Sequence, residues 1–250
     1  MRFILCFVLG LICSSGLANQ CRDSFLNYPV WMSVTALNEP VPFIGFEGVE
    51  PDLDLPIYQQ DPAIWKNYLQ MNLNFEPVRR LKDQMAQLLG VSLDGYDPAT
   101  GLTRPRVEAH ITVITPPEYN EYLAGSISMK RINEIAQEMN IQSARFEVIG
   151  VGSGAAYLND QGEVSRDGKK QETFFIVVQS EDLLKIRRAI YREALSNPNR
   201  IMSRLGQMSP EVFFPHITIG YTFGDLHLGP HGVRKDKTSL DERFSLQLKR

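Results

Sequence analysis

The sequence predicts an α+β protein folded as two similar lobes with a cleft between them. Two near-identical tetrads, His110-Ile111-Thr112-Val113 and His216-Ile217-Thr218-Ile219, alternate polar and apolar residues in β-branched surroundings, the pattern of a half-buried strand. Strand and helix signals are mixed along the chain, and each tetrad strand is accompanied by a segment of helical apolar spacing. No linker, repeat array or low-complexity stretch interrupts them. In a strand, side chains i and i+2 share a face. His110 with Thr112, and His216 with Thr218, are therefore expected to face the cleft while the apolar partners enter a core.

Taken in order, residues 1–18 read as a signal peptide. Arg2 starts it, Phe3 to Cys13 form an apolar run too short to span a bilayer, and Ser14-Ser15-Gly16-Leu17-Ala18 offers a cleavage site after Ala18. An anchor that is never cleaved is the alternative. Cleavage leaves residues 19–250 as a single two-lobed domain, exported to a periplasm or secreted. Trp31 to Leu37 reads as a first strand and Asn38 to Gln60 as a long loop rich in Pro, Gly and acids. Asp61-Pro62 is a helix start, with Ile64, Trp65, Tyr68 and Leu69 as its apolar face. Pro77 opens a second helix through Val78, Leu81, Met85, Leu88 and Leu89, stopped by Gly90.

Leu93 to Pro105 is turn chemistry, and the first motif strand runs from about Val107 to Thr115. A helix follows near Met129 to Met139, then a strand at Arg145 to Val151. Gly150, Gly152 and Gly154 suggest a bend into a short strand at Ala156 to Leu158. Asn159 to Lys170 reads as a hairpin loop, Thr173 to Gln179 as the most continuous apolar strand, and Glu181 to Leu195 as an amphipathic helix. A loop at Asn197 to Pro210 leads to the second motif strand, about Val212 to Thr222, and Phe244 to Leu248 alternates as a last strand.

Composition narrows the function classes. The formal charge is −3, and −4 once Arg2 is removed, which opposes a surface that coats duplex DNA. The basic clusters are short, as at Arg104 with Arg106 or Arg234-Lys235, and suit a small nucleotide or an RNA end. After cleavage the chain keeps one cysteine, Cys21, so no internal disulfide forms, no membrane contact is expected, and the protein is read as a monomer. His227 and His231 are spaced for a metal only on a helix; Gly229-Pro230 between them reads as loop, and no metal or other cofactor is expected.

Two histidines facing one phosphate can divide acid–base work, because imidazole titrates near neutrality. One takes a proton from water or a hydroxyl and the other protonates the leaving oxygen, each role typically giving about 10²–10⁴-fold. The Thr112 and Thr218 hydroxyls suit the non-bridging phosphate oxygens. A 2′,3′-cyclic phosphate needs no more than this to open. Arg106, Tyr157, Tyr221, Phe223 and His227 are further candidates to line the cleft, the aromatics by stacking a base.

The paired tetrads, about a hundred residues apart, resemble those of the 2H phosphoesterase superfamily of 2′-5′ RNA ligase-like proteins and cyclic phosphodiesterases. The context Pro215-His-Ile-Thr-Ile-Gly220, with Gly220-Tyr-Thr-Phe-Gly-Asp225-Leu-His227 and Gly232-Val-Arg-Lys235-Asp236, is similar to its Swiss-army-knife RNA repair-like group, and the likeness spans Trp31 to Leu248. The resemblance implies a pseudo-symmetric fold of two antiparallel sheets flanked by helices. It also implies His110 and His216 as the acid–base pair, Thr112 and Thr218 as phosphate binders, and a hydrolase of 2′,3′-cyclic phosphates or 2′-5′ phosphodiesters. Which histidine is the base, and whether hydrolysis or ligation is the direction, stay open. Some relatives carry a basic residue where this chain has Tyr221. A non-catalytic binder of phosphorylated nucleotides or RNA ends on the same fold, and a metal-dependent hydrolase using His227 and His231, are the alternatives.

Overall fold

The computed structural model describes residues 27–52, 61–97, 102–103, 108–197 and 208–249. Residues 1–18, expected as a signal peptide, and Cys21, Arg104 and Arg106 lie outside these. The architecture mixes three long helices with small sheets. Strand β1 (Tyr28–Ser33) pairs in parallel with β9 (Phe244–Lys249). Strand β2 (Leu69–Leu73) pairs antiparallel with β5 (Ala109–Ile114), and the two-residue strands β3 (Tyr96–Asp97) and β4 (Leu102–Thr103) pair with each other. Strands β6 (Glu147–Leu158), β7 (Lys169–Gln179) and β8 (His216–Tyr221) make a three-stranded antiparallel sheet in that order. Antiparallel sheets with helices fit the predicted class, but there are more than two sheets, and one pair is parallel.

Local chemistry explains the helices. Helix α1 (Phe75–Leu89) is capped by the Asn74 side chain on Glu76 N–H and ends at Gly90, whose φ of 68° only glycine adopts without strain. It starts two residues before Pro77, which lies in its first turn. Helix α2 (Met129–Glu138) is capped by Ser128, and helix α3 (Glu181–Ser196) by Ser180. Each buries one stripe, in α3 Leu183, Ile186, Ile190, Tyr191 and Ala194.

Four expectations need correction. The first strand lies at Tyr28–Ser33, because Ser33 caps a helical turn over Val34–Leu37. The helix from Asp61 is a single 3₁₀ segment, Pro62–Lys66; Leu69–Leu73, read as its continuation, is strand β2. The strands expected at 145–151 and 156–158 are one strand, β6, with Gly150, Gly152 and Gly154 inside it on one face. A Cβ on Gly152 would meet the Phe175 ring at 2.4 Å and one on Gly154 would meet Val233 at 2.3 Å, so these glycines admit packing, not a bend. Lastly, Leu228–His231 forms one helical turn, with Pro230 where no helical donor is needed.

One apolar core joins β1, β2, β5, the inner faces of β7 and β8, and the three helices. A smaller cluster of Ala156, Leu158, Phe175, Val177, Leu226 and Val233 lies on the other face of the three-stranded sheet, under the segment after β8. The irregular stretch 38–52 crosses the molecule without strand or helix, held by amide side chains. Asn72 donates to Pro42 O (3.0 Å), Gln142 to Val41 O (2.8 Å), Asn133 to Phe46 O (2.8 Å), and Asn67 bonds Val49 through both N–H and C=O (2.8 and 2.6 Å). Among the described residues no helix is long and apolar enough to cross a membrane.

Candidate active site

Both tetrads form strands with the predicted alternation. On β5, Ile111 and Val113 are buried while His110 and Thr112 are half-buried; on β8, Ile217 and Ile219 are buried while His216 and Thr218 are half-buried. All four apolar residues belong to the same core, and β5 lies against β8. Each strand therefore turns its His and Thr to the face away from that core.

His216 sits in a dry, structured setting. Its Nδ1 lies 2.8 Å from Phe214 O, and a carbonyl only accepts, so Nδ1 carries the hydrogen and Nε2 presents a lone pair. The Phe175 ring meets the imidazole edge-on at 5.9 Å. Burial, and next the Lys235 ammonium, push the His216 pKa down to about 3. Lys235 is itself almost fully buried, 4% exposed, with Nζ 5.6 Å from the Phe175 ring and 2.7 Å from Asp225 Oδ1. Asp225 also accepts from Thr173 (2.6 Å) and from Thr218 (3.4 Å). The Thr218 hydroxyl thus faces a carboxylate. Burial also lowers the pKa of His231. Its Nδ1 accepts from His227 N–H at 3.0 Å, and the two rings are 6.3 Å apart.

His110 has different neighbours. Glu108 Oε1 is 4.0 Å from its Nδ1, and the Tyr68 ring is 6.5 Å away, in turn 4.6 Å from Phe46. Asn72 and Gln70 stand opposite His110 and Thr112 on β2. Gln70 Nε2 donates to Asn72 Oδ1 at 2.6 Å.

The other candidates divide. His227 is near enough to His216 to influence its charge. Phe223 is half-buried in the loop after β8. Tyr221 is buried beneath Gly95, with its ring 2.3 Å from where a Cβ on Gly95 would lie, so it offers no open stacking face. Tyr157, 54% exposed, alternates onto the face of β6 opposite Ala156 and Leu158, away from Phe175 and His216. Among the described residues no group of three or more His, Cys, Asp or Glu is placed to hold a metal. Thr173, Phe175 and Glu108 lie beside the tetrads without having been singled out in the sequence, and Asp225 and Lys235, quoted there only for the resemblance, were given no role.

A family model described as the Swiss Army Knife 2H phosphoesterase domain matches residues 68–227, well over half the chain and including both tetrads. The chain belongs to this family. As a 2H phosphoesterase it is a hydrolase of phosphate esters. No curated protein and no solved structure matches it. The matched stretch ends at His227, eight residues before Lys235.

Proposed function

We propose that the protein hydrolyses 2′,3′-cyclic phosphates or 2′-5′ phosphodiesters of nucleotides or RNA ends by His/His acid–base catalysis without a metal. The reading is of a two-lobed molecule whose cleft carries both H-x-T faces. The observation that carries it is the shared core beneath the two tetrads, which turns both histidines outward from neighbouring strands. His216 is the general base by geometry: Nδ1 is tethered to Phe214 O, and Nε2 carries the lone pair that accepts. It takes a proton from water as the water oxygen attacks phosphorus. His110, with the Glu108 carboxylate beside it, gives its proton to the departing ribose oxygen as the P–O bond breaks, leaving a phosphomonoester. Thr112 and Thr218 bind the non-bridging oxygens, and the Lys235 charge offsets the one that builds on them. On the sequence grounds above, the exported monomer meets small nucleotide or RNA-end substrates and no duplex.

The test is turnover of a nucleoside 2′,3′-cyclic phosphate beside a 2′-5′ dinucleotide in excess EDTA. Full activity under chelation is expected. Loss of activity restored by metal would overturn metal independence, and tight binding without turnover would favour the non-catalytic binder.

A further inference from the structure

The two motif strands meet without a backbone ladder. Strand β5 pairs with β2 and β8 pairs with β7, and among the described residues no strand pairing joins β5 to β8. Core packing holds them together, but apolar contact is non-directional and does not by itself set spacing. One side chain provides directional bonds to both. Arg187, on α3 and only 1% exposed, reaches across the core's edge. Its Nη1 donates to Val113 O, the residue after Thr112 on β5, and to Glu118 Oε2 at 3.0 Å. Its Nε donates to Pro210 O at 3.0 Å and its Nη2 to Val212 O at 3.2 Å, both on the segment leading into β8. Nη2 also pairs with Glu118 Oε1 at 2.9 Å, and the guanidinium lies over the Phe213 ring at 4.8 Å.

A guanidinium has five N–H donors in a fixed planar fork. Here the five acceptors are three carbonyls and two carboxylate oxygens, drawn from both sides of the cleft. Glu118 lies just past β5, in a helical turn capped by Thr115, and is held by Tyr191 O–H at 2.7 Å. Burial and the Glu118 carboxylate push the Tyr191 phenol up, so it remains a donor. We infer that Arg187 is a positioning residue that sets the distance between the two H-x-T strands, and hence between His110 and His216. Its functional sense rests on the acid–base reading above. A lysine keeps the charge but has three donors on one nitrogen, and it cannot reach both segments at once.

The test is Arg187→Lys, read in two ways. Spin labels at Glu108→Cys and Val212→Cys, exposed positions on either side, in a chain with its native cysteines changed to serine, report the spacing directly. A shifted or broadened distance distribution is expected in Arg187→Lys. Steady-state kinetics on a nucleoside 2′,3′-cyclic phosphate should show kcat falling about 10²-fold with KM within threefold, since a small misplacement of reacting groups costs about that much. An unchanged distance distribution, with kcat per folded molecule and pH profile also unchanged, would reduce Arg187 to a stabilising residue and overturn the inference. If Arg187→Lys does not fold, Tyr191→Phe, which removes one of the bonds that hold Glu118 against Arg187, should broaden the same distribution and lower kcat three- to tenfold; no change in either overturns it as well. If the parent protein turns over no cyclic phosphate, the acid–base reading fails, while the label distances still decide the spacing.

Discussion

Strands β5 and β8 carry nearly the same four residues and bury the same two of them, yet the histidines stand in unlike surroundings. His216 is tethered at Nδ1, edge-on to Phe175 and beside a buried ammonium. His110 has a carboxylate 4.0 Å away, with tyrosine and amide side chains around it. Opposite charges beside two like imidazoles make them unequal, and acid–base catalysis needs one of each kind. The tetrad therefore sets orientation, and the groups packed around each copy, Glu108 beside His110 and Lys235 near His216, make the two imidazoles unlike.

The strongest challenge to this asymmetry is removal of either imidazole. His110→Ala and His216→Ala should each lower kcat by about 10³-fold with unchanged circular dichroism. A large effect at one and none at the other would leave a single working histidine and dissolve the comparison. Next in size is Lys235→Met, which leaves Asp225 with hydroxyl donors but no cation. A loss of roughly 3 kcal/mol by urea titration is expected, and adding Asp225→Asn should recover part of it. A double variant no more stable than the single one would remove the pair from the account of the β8 half.

The pH response sharpens the comparison further. His216 titrates at about 3 when folded against an ordinary 6.5, so between those values the unfolded chain binds more protons. Its contribution to stability is then present above pH 6.5 and declines as pH falls toward 3. Calorimetry should show the Tm of the parent falling more steeply over this window than that of His216→Gln. Equal slopes would mean His216 is not desolvated. The smallest expected effect is at Glu108→Gln: a two- to fivefold fall in kcat/KM near neutral pH, because an exposed carboxylate acts through screened charge. An effect as large as that of His110→Ala would make Glu108 a direct participant.

Much of this was legible in the sequence, and the exceptions have identifiable causes. The tetrads, α3 and the hairpin of β6 and β7 follow from periodicity, which local sequence carries. Strand β2 also alternates, Leu69, Met71 and Leu73 against Gln70 and Asn72, but the strong helix start at Asp61-Pro62 invites an extension that stops at Lys66. Asp225 and Lys235 stand in the stretches that resemble the Swiss-army-knife group, but nothing local places them near His216, since they approach it only through the packing of Leu226 and Val233 on the far face of the sheet. The one available hint was the common parity of Gly150, Gly152 and Gly154, which means that something approaches that face closely.

The pairing of β1 with β9 bears on how the molecule is made. Tyr28 is matched with Phe244 and Ser33 with Lys249, so the first described strand waits for the last described one. A growing chain can nucleate α1 or the β6–β7 hairpin, but it cannot close this ladder until residues 244–249 have been synthesised. Until then β1 offers an unpaired edge to any other chain. Closing this ladder is a long-range event, and loss of residues 244–249 would be felt first at β1.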